Sequence, residues 1–449
     1  MKYNSNSTRR LWQRAGVAVG VGAILVGALS ACSGGATTSG DSGTQADIDA
    51  ALQKDTTLTW WTWSDGTKAE ADAFTKKYPH IKFNIVKVDN PDAAVTKLQN
   101  AVKAGTGAPD ILPVEYQTLP QLTLGGGLAD MSKYGLDTKY QGQFTPSTWN
   151  AVHVQDKLVG IPMDSGPMVM IYNKDMLAKA GITAAPKTWD EYAAASAAIH
   201  KTDPEAYIAT GGDAGFITSM IWASGGQPFK TDGKNVTINL QDAGTKKFAD
   251  YWNTLNQKGE LSPLATWSDE WTKALTQDKL ATIMMGSWMI GGGMDGYGPA
   301  GRFVVAPVPT WDGTPGSAEN GGSAISVTQQ SKNKAAAAGV LEFMADGEGR
   351  DIINATAFPS TMKELTNPTF LQKEFPGFGG QQANKEGAAS AASVIKGWQY
   401  LPYQGYANNV FGDSVGKALG AKTDLNTALQ QWQQTLVDYG KQQGFSVNQ

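Results

Sequence analysis

The sequence predicts an α/β protein, because short apolar strands alternate with helices along much of the chain. The clearest example is a β-α-β-α-β pattern that begins at residue 57. Behind a basic leader, about 400 residues remain, which is enough for two domains. We therefore expect a parallel sheet with helices on its faces, in a chain long enough to form two domains.

The first unit has a strand, a helix, a strand, a helix and a strand in that order. TLTWWTW at residues 57–63 is apolar nearly throughout, as a parallel strand buried on both faces would be. The helix TKAEADAFTKKY ends before Pro79, and IKFNIVKV then alternates apolar and polar residues, as strands do. The next helix begins at Pro91 and ends at Gly105, before the short strand DILPV.

Later segments continue the same alternation. GPMVMIYN predicts a strand, and TWDEYAAASAAIHK predicts a helix with Thr188 at its N-cap and Glu191 three residues on, which form a capping box. LATIMMG, RFVVAPVP and SAISVTQ predict strands, and residues 390–449 are expected to be mainly helical.

Residues 1–31 predict export from the cytoplasm. They are basic, with no acidic residue before Asp41, and they contain the uncharged run AGVAVGVGAILVGAL. This run is too short to span a bilayer comfortably, but it suits the core of a signal peptide. Sec and twin-arginine export both stay open, because Arg9 and Arg10 resemble the twin-arginine signal only in their pairing.

Cys32 is the only cysteine of the chain, and it closes LSAC, which resembles the lipobox of bacterial lipoproteins. The resemblance implies cleavage before Cys32 and a lipid on its sulfur, which would otherwise be a reactive thiol. Residues 33–47 are mostly glycine, serine and threonine, so we expect residues 32–54 to form a flexible tether. The expected location is the extracytoplasmic face of the cell membrane.

Charge and residue content argue against several classes of function. The chain has 41 acidic and 37 basic residues, which argues against nucleic acid as a partner. The three histidines are far apart and the single cysteine is assigned to lipid, so no metal site is expected. No nucleophile elbow, phosphate-binding loop or dinucleotide fingerprint is present, so no cofactor is expected. A hydrolytic pair of carboxylates stays open, because many pairs are available.

Aromatic and polar residues follow several predicted strands, where ligands bind in open parallel sheets. We expect Trp63 to face such a site and Trp60 and Trp61 to build the core. An indole with carboxylates at its edge suits a neutral polyhydroxylated ligand, because carboxylate oxygens accept hydrogen bonds from hydroxyl groups. Two interpretations stay open for Asp65, a ligand contact or a helix cap, and for Glu115, a ligand contact or a solvated loop acid.

Several segments resemble the carbohydrate-binding lipoproteins of bacterial ABC importers, of the maltodextrin-binding type. They include WWTWSDG, APDILPVEYQTLPQL, GIPMDSGPMVMIYNKDML, KTWDEYAAA, DKLATIMMGSW and NGGSAISVTQQSKNKAAA, in that order. The resemblance implies a two-lobe periplasmic-binding-protein-like α/β fold, with the ligand cleft between lobes that close on a sugar. We expect lobe 1 to contain residues 55–163 and 289–345, and lobe 2 to contain residues 164–288 and 346–449.

The resemblance assigns sugar contacts to strand ends, to the crossings between the lobes and to a C-terminal loop. It implies a monomer that is not an enzyme and that delivers a mono- or oligosaccharide to the permease subunits of an ABC importer. A lipid-anchored glycoside hydrolase and a glycan-binding adhesin stay open as alternatives. The assigned contacts are Trp63, Asp65, Glu115, Tyr116, Asp164, Ser165, Trp288, Gly322, Ser323, Trp398, Gln399 and Tyr406.

Overall fold

The computed structural model describes residues 43–292, 294 and 296–449. The predicted signal peptide and Cys32 lie outside the described residues. The strands are β1 (Thr56–Thr62), β2 (Ile81–Lys87), β3 (Ile111–Glu115), β4 (His153–Val154), β5 (Lys157–Leu158), β6 (Ile161–Pro162), β7 (Met168–Asn173), β8 (Ala209–Thr210), β9 (Phe229–Asp232), β10 (Asn235–Ile238), β11 (Leu261–Ser262), β12 (Thr282–Gly286), β13 (Phe303–Pro307), β14 (Ser323–Val327) and β15 (Ser446–Asn448).

The helices cover more than half of residues 390–449, as predicted. They are α1 (Gln45–Leu52), α2 (Thr67–Lys77), α3 (Pro91–Ala104), α4 (Leu119–Leu124), α5 (Leu136–Lys139), α6 (Pro146–Ala151), α7 (Lys174–Lys179), α8 (Trp189–Thr202), α9 (Ala214–Ala223), α10 (Ala243–Gln257), α11 (Asp269–Thr276), α12 (Lys334–Ala345), α13 (Glu348–Thr356), α14 (Met362–Leu365), α15 (Pro368–Leu371), α16 (Asn384–Ala392), α17 (Gln404–Val410), α18 (Val415–Ala421) and α19 (Leu425–Gln442).

Lobe 1 is built around a five-stranded sheet with the order β2-β1-β3-β14-β6. β1 pairs in parallel with β2 and β3, as the alternation of strands and helices predicted, whereas β14 runs antiparallel to β3 and β6. Trp60 and Trp61 are 1% and 4% exposed, so their predicted place in the core is confirmed. Phe74 of α2, Leu98 of α3 and Leu341 of α12 belong to the same core.

Lobe 2 contains a three-stranded sheet with the order β12-β7-β13, in which both outer strands run antiparallel to β7. Its core includes Trp252 of α10 and Trp432 of α19, which are both fully buried. Thr188 caps α8 by accepting a hydrogen bond from Glu191 N, as predicted. The Glu191 carboxylate accepts from Lys187 N, one residue before the predicted partner, so only half of the capping box is present.

The structure divides the chain between the lobes differently from the expected division. Residues 289–292, 294 and 296–318 pack in lobe 2, because β13 pairs with β7 and Met289 is buried in the lobe 2 core. Helix α13 packs against α2 in lobe 1, where Ile353 is buried. The chain therefore crosses between the lobes at residues 164–168, 319–323 and 357–358.

The end of the expected tether is helical. Thr44 caps α1 by accepting a hydrogen bond from Asp47 N, and the Asp47 carboxylate accepts from Thr44 N in return. Ile48 and Leu52, which lie one turn apart on α1, are buried in the lobe 1 core. The expected flexible tether is therefore wrong for this helix, because two apolar side chains on one face fix it to the lobe.

Candidate functional site

Two crossing segments pack against each other between the lobes. The first is residues 164–168 and the second is residues 319–323. Asn320 N donates a hydrogen bond to Gly166 O at 2.7 Å. A Cβ atom on Gly166 would lie 2.3 Å from Asn320 O, so this close approach of two backbones requires glycine. The two segments therefore form one junction at the carboxyl edge of the lobe 1 sheet.

Three of the predicted contact residues, Glu115, Asp164 and Ser323, meet at this edge. Glu115 ends β3 and lies opposite Ser323 in the register of β14. Asp164 follows β6, and its Oδ1 accepts a hydrogen bond from Ser323 N at 2.6 Å. All three residues are half-buried. Because a carboxylate has about four lone-pair sites, both acids retain capacity to accept hydrogen bonds from a ligand.

Three other predicted residues are buried beside this edge and pack against its backbone. Tyr116 is 2% exposed, and its hydroxyl donates to Asp164 O at 2.7 Å. Gly322 has φ 95°, and a Cβ there would lie 2.7 Å from the Tyr116 ring, so glycine lets the ring pack on the crossing backbone. Ser165 is fully buried, and its hydroxyl donates to Glu319 at 3.1 Å. These residues hold the edge in place but expose little surface.

Trp63 and Asp65 follow β1, the neighbour of β3 in the same sheet. Trp63 is half-buried, whereas Asp65 is exposed. Asp65 pairs with the Lys87 ammonium, and this hydrogen bond lowers the pKa of Asp65. Helix α2 has Gly66 at its N-cap position. The alternative in which Asp65 caps this helix is therefore wrong.

Trp288 lies where lobe 2 meets the second crossing segment. Its indole is half-buried, and Nε1 donates to Asn320 O at 2.8 Å. The Asn320 side chain donates to Ser219 Oγ at 3.2 Å and accepts from Gly286 N at 3.3 Å. Asn320 thus ties the end of β12, helix α9 and the Trp288 indole to the crossing between the lobes.

Burial raises the pKa of the carboxyl groups at this edge. The pKa of Asp164 rises to about 6, mainly because of burial; the hydrogen bond from Ser323 N opposes the rise, and the charge of Glu319 adds to it. Burial is also the main reason why the pKa of Glu115 and that of Glu319 are raised. Groups with perturbed pKa values often cluster at functional sites.

The raised pKa of Asp164 predicts a pH effect on stability. Its folded value of about 6 exceeds the ordinary 3.8, so the protonated form is favoured in the fold. This contribution to the free energy of unfolding is fully present below about pH 4 and is lost as the pH rises through 6. The wild type therefore loses free energy of unfolding between pH 4 and pH 7, whereas Asp164→Asn has no such titration. The free energy of unfolding of the variant, relative to that of the wild type, should rise by about 1–3 kcal/mol over this range. Urea unfolding at both pH values measures this, and a constant difference would contradict it.

A cavity of about 620 Å³ lies between the lobes and is lined by residues of both of them. Glu319 lines this cavity, whereas the next residue, Asn320, directs its side chain toward Ser219 and Gly286. Successive residues of an extended chain point in opposite directions. Trp398 and Gln399 line the cavity together with Tyr116, but Glu115, Asp164, Ser323 and Trp288 do not.

The lining of this cavity is better matched to an apolar group than to a sugar. Its buried carboxylate, Glu319, already accepts hydrogen bonds from Ser147 Oγ and Ser165 Oγ. Most of its other lining residues are apolar. Trp398 stacks on Trp222 of lobe 2 with ring centroids 5.0 Å apart. The structure therefore does not bring Trp398 or Gln399 to the edge where Asp164 lies.

Tyr406 lies at a second cavity, of about 480 Å³, between α3 and α4 of lobe 1 and α17 and α19 of lobe 2. Its ring stacks on Tyr439 with centroids 3.5 Å apart. Asn408 on the same helix donates to Gln117 Oε1 at 3.2 Å, and Gln117 Nε2 donates to Glu115 Oε2 at 2.9 Å. This chain of hydrogen bonds links Glu115 to the part of lobe 2 that contains Tyr406.

Comparison with known proteins identifies the family. The sequence model of the bacterial extracellular solute-binding proteins matches residues 13–350. This chain belongs to that family. The solute-binding protein is 37% identical to the ABC transporter associated binding protein from B. animalis subsp. lactis Bl-04, solved in complex with β-1,6-galactobiose. That match covers 88% of this chain and 99% of the other, with a TM-score of 0.77.

Two further relatives are similar to this solute-binding protein. The galacto-N-biose-/lacto-N-biose I-binding protein of the ABC transporter from Bifidobacterium longum, solved in complex with lacto-N-biose, is 25% identical, with 88% of this chain and 99% of that chain covered and a TM-score of 0.75. The arabinooligosaccharide-binding protein of Bacillus subtilis is 29% identical over 325 residues, which are 69% of this chain and 73% of the relative. These matches confirm the predicted two-lobe α/β fold.

Several polar residues of this solute-binding protein were not predicted from the sequence. Glu319 and Asn320 directly precede the GGS segment that the resemblance had singled out, so their adjacency was a usable signal. No local pattern marks Gln117 or Asn408, since their contact arises only when α17 packs beside residues 116–118. Trp267, which packs on Trp288, was also missed, because its sequence neighbours indicate only the start of helix α11.

In the part of the chain that the structure describes, no group of three or more His, Cys, Asp or Glu side chains is arranged to hold a metal ion. Within these same residues, no helix is both long enough and apolar enough to cross a membrane.

Proposed function

We propose that this protein captures an oligosaccharide outside the cytoplasm and delivers it to the permease of an ABC importer. The observation that carries the proposal is the 37% identity, over 88% of the chain, with an ABC transporter associated protein that binds β-1,6-galactobiose. Two further relatives are named for binding oligosaccharides or disaccharides. We propose that the protein works as a monomer and leaves the sugar unchanged.

The sugar binds at the carboxyl edge of the lobe 1 sheet, between Asp164 and Trp288. The carboxylates of Glu115 and Asp164 accept hydrogen bonds from sugar hydroxyl groups, and such charge-assisted bonds are the stronger ones. The half-buried indole of Trp288 offers an apolar surface for the C–H face of a sugar ring. Trp63 and Asp65 extend the same edge. A sugar that touches both lobes favours their closed arrangement, because its contacts are better there.

A panel of sugars tests this function. The panel contains β-1,6-galactobiose, lacto-N-biose, arabino-oligosaccharides and maltotriose, each compared with its constituent monosaccharides. At least one oligosaccharide should raise the melting temperature, because a ligand at about 100 times its Kd stabilises a protein by about 2.7 kcal/mol. Titration calorimetry should then give one site per chain. A panel in which no sugar binds would overturn the proposal.

A glycoside hydrolase is the second candidate, favoured by one observation. Glu115 and Asp164 are carboxyl groups whose pKa values are raised by burial, and a general acid of a hydrolase needs a raised pKa. Chromatography of the sugar after prolonged incubation separates the two functions. Transport predicts that all of the sugar is recovered intact, whereas its cleavage would favour the hydrolase.

We also propose that Cys32 carries a lipid that anchors the protein to the cell membrane. Metabolic labelling with palmitate should mark the wild-type protein and place it in the membrane fraction, because two or more acyl chains anchor stably. Cys32→Ala should lose the label and leave the membrane fraction. Continued labelling and membrane association of this variant would contradict the anchor.

A further inference from the structure

Trp267 combines two features that cost free energy. The residue is 51% exposed, and Met362, at 46%, is the only other exposed large apolar residue among those that the structure describes. Its φ of 72° lies in the left-handed region, which bulky residues rarely adopt. Strained backbone positions of this kind often occur at ligand-binding sites, where they position a side chain.

The contacts of Trp267 place it beside the proposed sugar site. Its ring centroid lies 6.0 Å from that of Trp288, with the two planes inclined by 26°, and 5.0 Å from that of Trp271. Trp271 is buried, and Trp288 is held by its hydrogen bond to Asn320 O. A continuous aromatic surface therefore leads from the crossing segment through Trp288 to the exposed indole of Trp267.

The local turn fixes the backbone that carries this indole. Ser268 N donates to Ala265 O at 3.2 Å, and Ser268 Oγ caps helix α11 by accepting from Trp271 N at 3.1 Å. Trp267 stands directly before this cap, so the start of the helix and the turn together set its direction. A surface that is ordered in advance loses less conformational entropy when it binds.

We propose that Trp267 is a second sugar platform, which makes the site select oligosaccharides over monosaccharides. This inference rests on the proposed function. One sugar ring contacts Asp164 and Trp288, and the neighbouring ring of the same ligand packs its C–H face on Trp267. An indole contributes through the apolar area that it buries, so Trp267 selects for chain length and not for one pattern of hydroxyl groups.

The test uses Trp267→Asn, because asparagine tolerates the left-handed conformation that this position requires. The probe is β-1,6-galactobiose, or the panel disaccharide that the wild type binds most tightly, and its monosaccharide is measured by competition. Trp267→Asn should weaken disaccharide binding by about tenfold and monosaccharide binding by less than about twofold. Trp267→Phe, which keeps an aromatic ring, should recover most of the loss.

The control is Met362→Ala, which removes the other exposed large apolar side chain and should leave both affinities unchanged. Unchanged disaccharide affinity in Trp267→Asn would overturn the inference. Equal losses for disaccharide and monosaccharide would also overturn it, because Trp267 would then only support Trp288. A wild-type protein that binds no sugar of the panel would instead overturn the proposed function itself.

Discussion

Replacing Asp164 with alanine should weaken sugar binding by about 10- to 1,000-fold. Hydrogen bonds to a charged group contribute roughly 1.5–3 kcal/mol each, and each 1.4 kcal/mol is about tenfold in affinity. Asp164 is half-buried at the carboxyl edge of the lobe 1 sheet, where its carboxylate already orients the Ser323 backbone. Titration calorimetry with the tightest-binding sugar of the panel measures the effect.

Two variants separate this binding role from a structural one. Asp164→Asn keeps an oxygen that can accept from Ser323 N, so its melting temperature should stay closer to the wild type while binding is still weakened. Asp72→Ala removes an exposed carboxylate that pairs with Lys68 on α2, and it should leave binding unchanged. Wild-type affinity in Asp164→Ala would remove this residue from the site.

The second large effect separates Trp60, which lies in β1, from Trp63, which follows it. Trp60→Ala should lower the free energy of unfolding by about 3–5 kcal/mol, because truncation of a buried large aromatic leaves a cavity. Trp60 is 1% exposed, and its ring packs 5.5 Å from that of Phe83. Urea unfolding of the variant and of the wild type measures the loss, provided that the two proteins have the same m-value.

Trp63→Ala is the matched comparison, since Trp63 lies three residues further along and is only half-buried. It should lower the free energy of unfolding by less than about 1.5 kcal/mol and should weaken sugar binding. The opposite pattern, with a stable Trp60→Ala protein and an unfolded Trp63→Ala protein, would contradict the assignment of Trp60 to the core and Trp63 to the site.

Local patterns predicted most elements because the determinants of those elements are local. The apolar run of β1, the Pro91 start of α3 and the Thr188 cap of α8 each act within a few residues. The lobe assignment of β13 failed for the opposite reason. Pairing of β13 with β7 depends on residues far apart in the chain. The local sequence of β13 does not indicate which strand it pairs with.

The candidate site shows the same limit. Glu115 and Asp164 could be predicted from their places beside apolar segments, and Ser323 from the resemblance, but only the structure brings the three to one edge of one sheet. The placement of Trp398 could not be predicted, since its position depends on stacking against Trp222 from another part of lobe 2. Likewise, the strained backbone of Trp267 becomes visible only in three dimensions, because its sequence neighbours resemble an ordinary helix start.

The most direct measurement is a crystal structure of the protein with the tightest-binding oligosaccharide of the panel. We expect density for one sugar ring in hydrogen-bond contact with Asp164 and in van der Waals contact with Trp288, and both lobes should touch the ligand. Density for the sugar in the apolar cavity beside Trp398, with the carboxyl edge of the lobe 1 sheet empty, would contradict the proposed site.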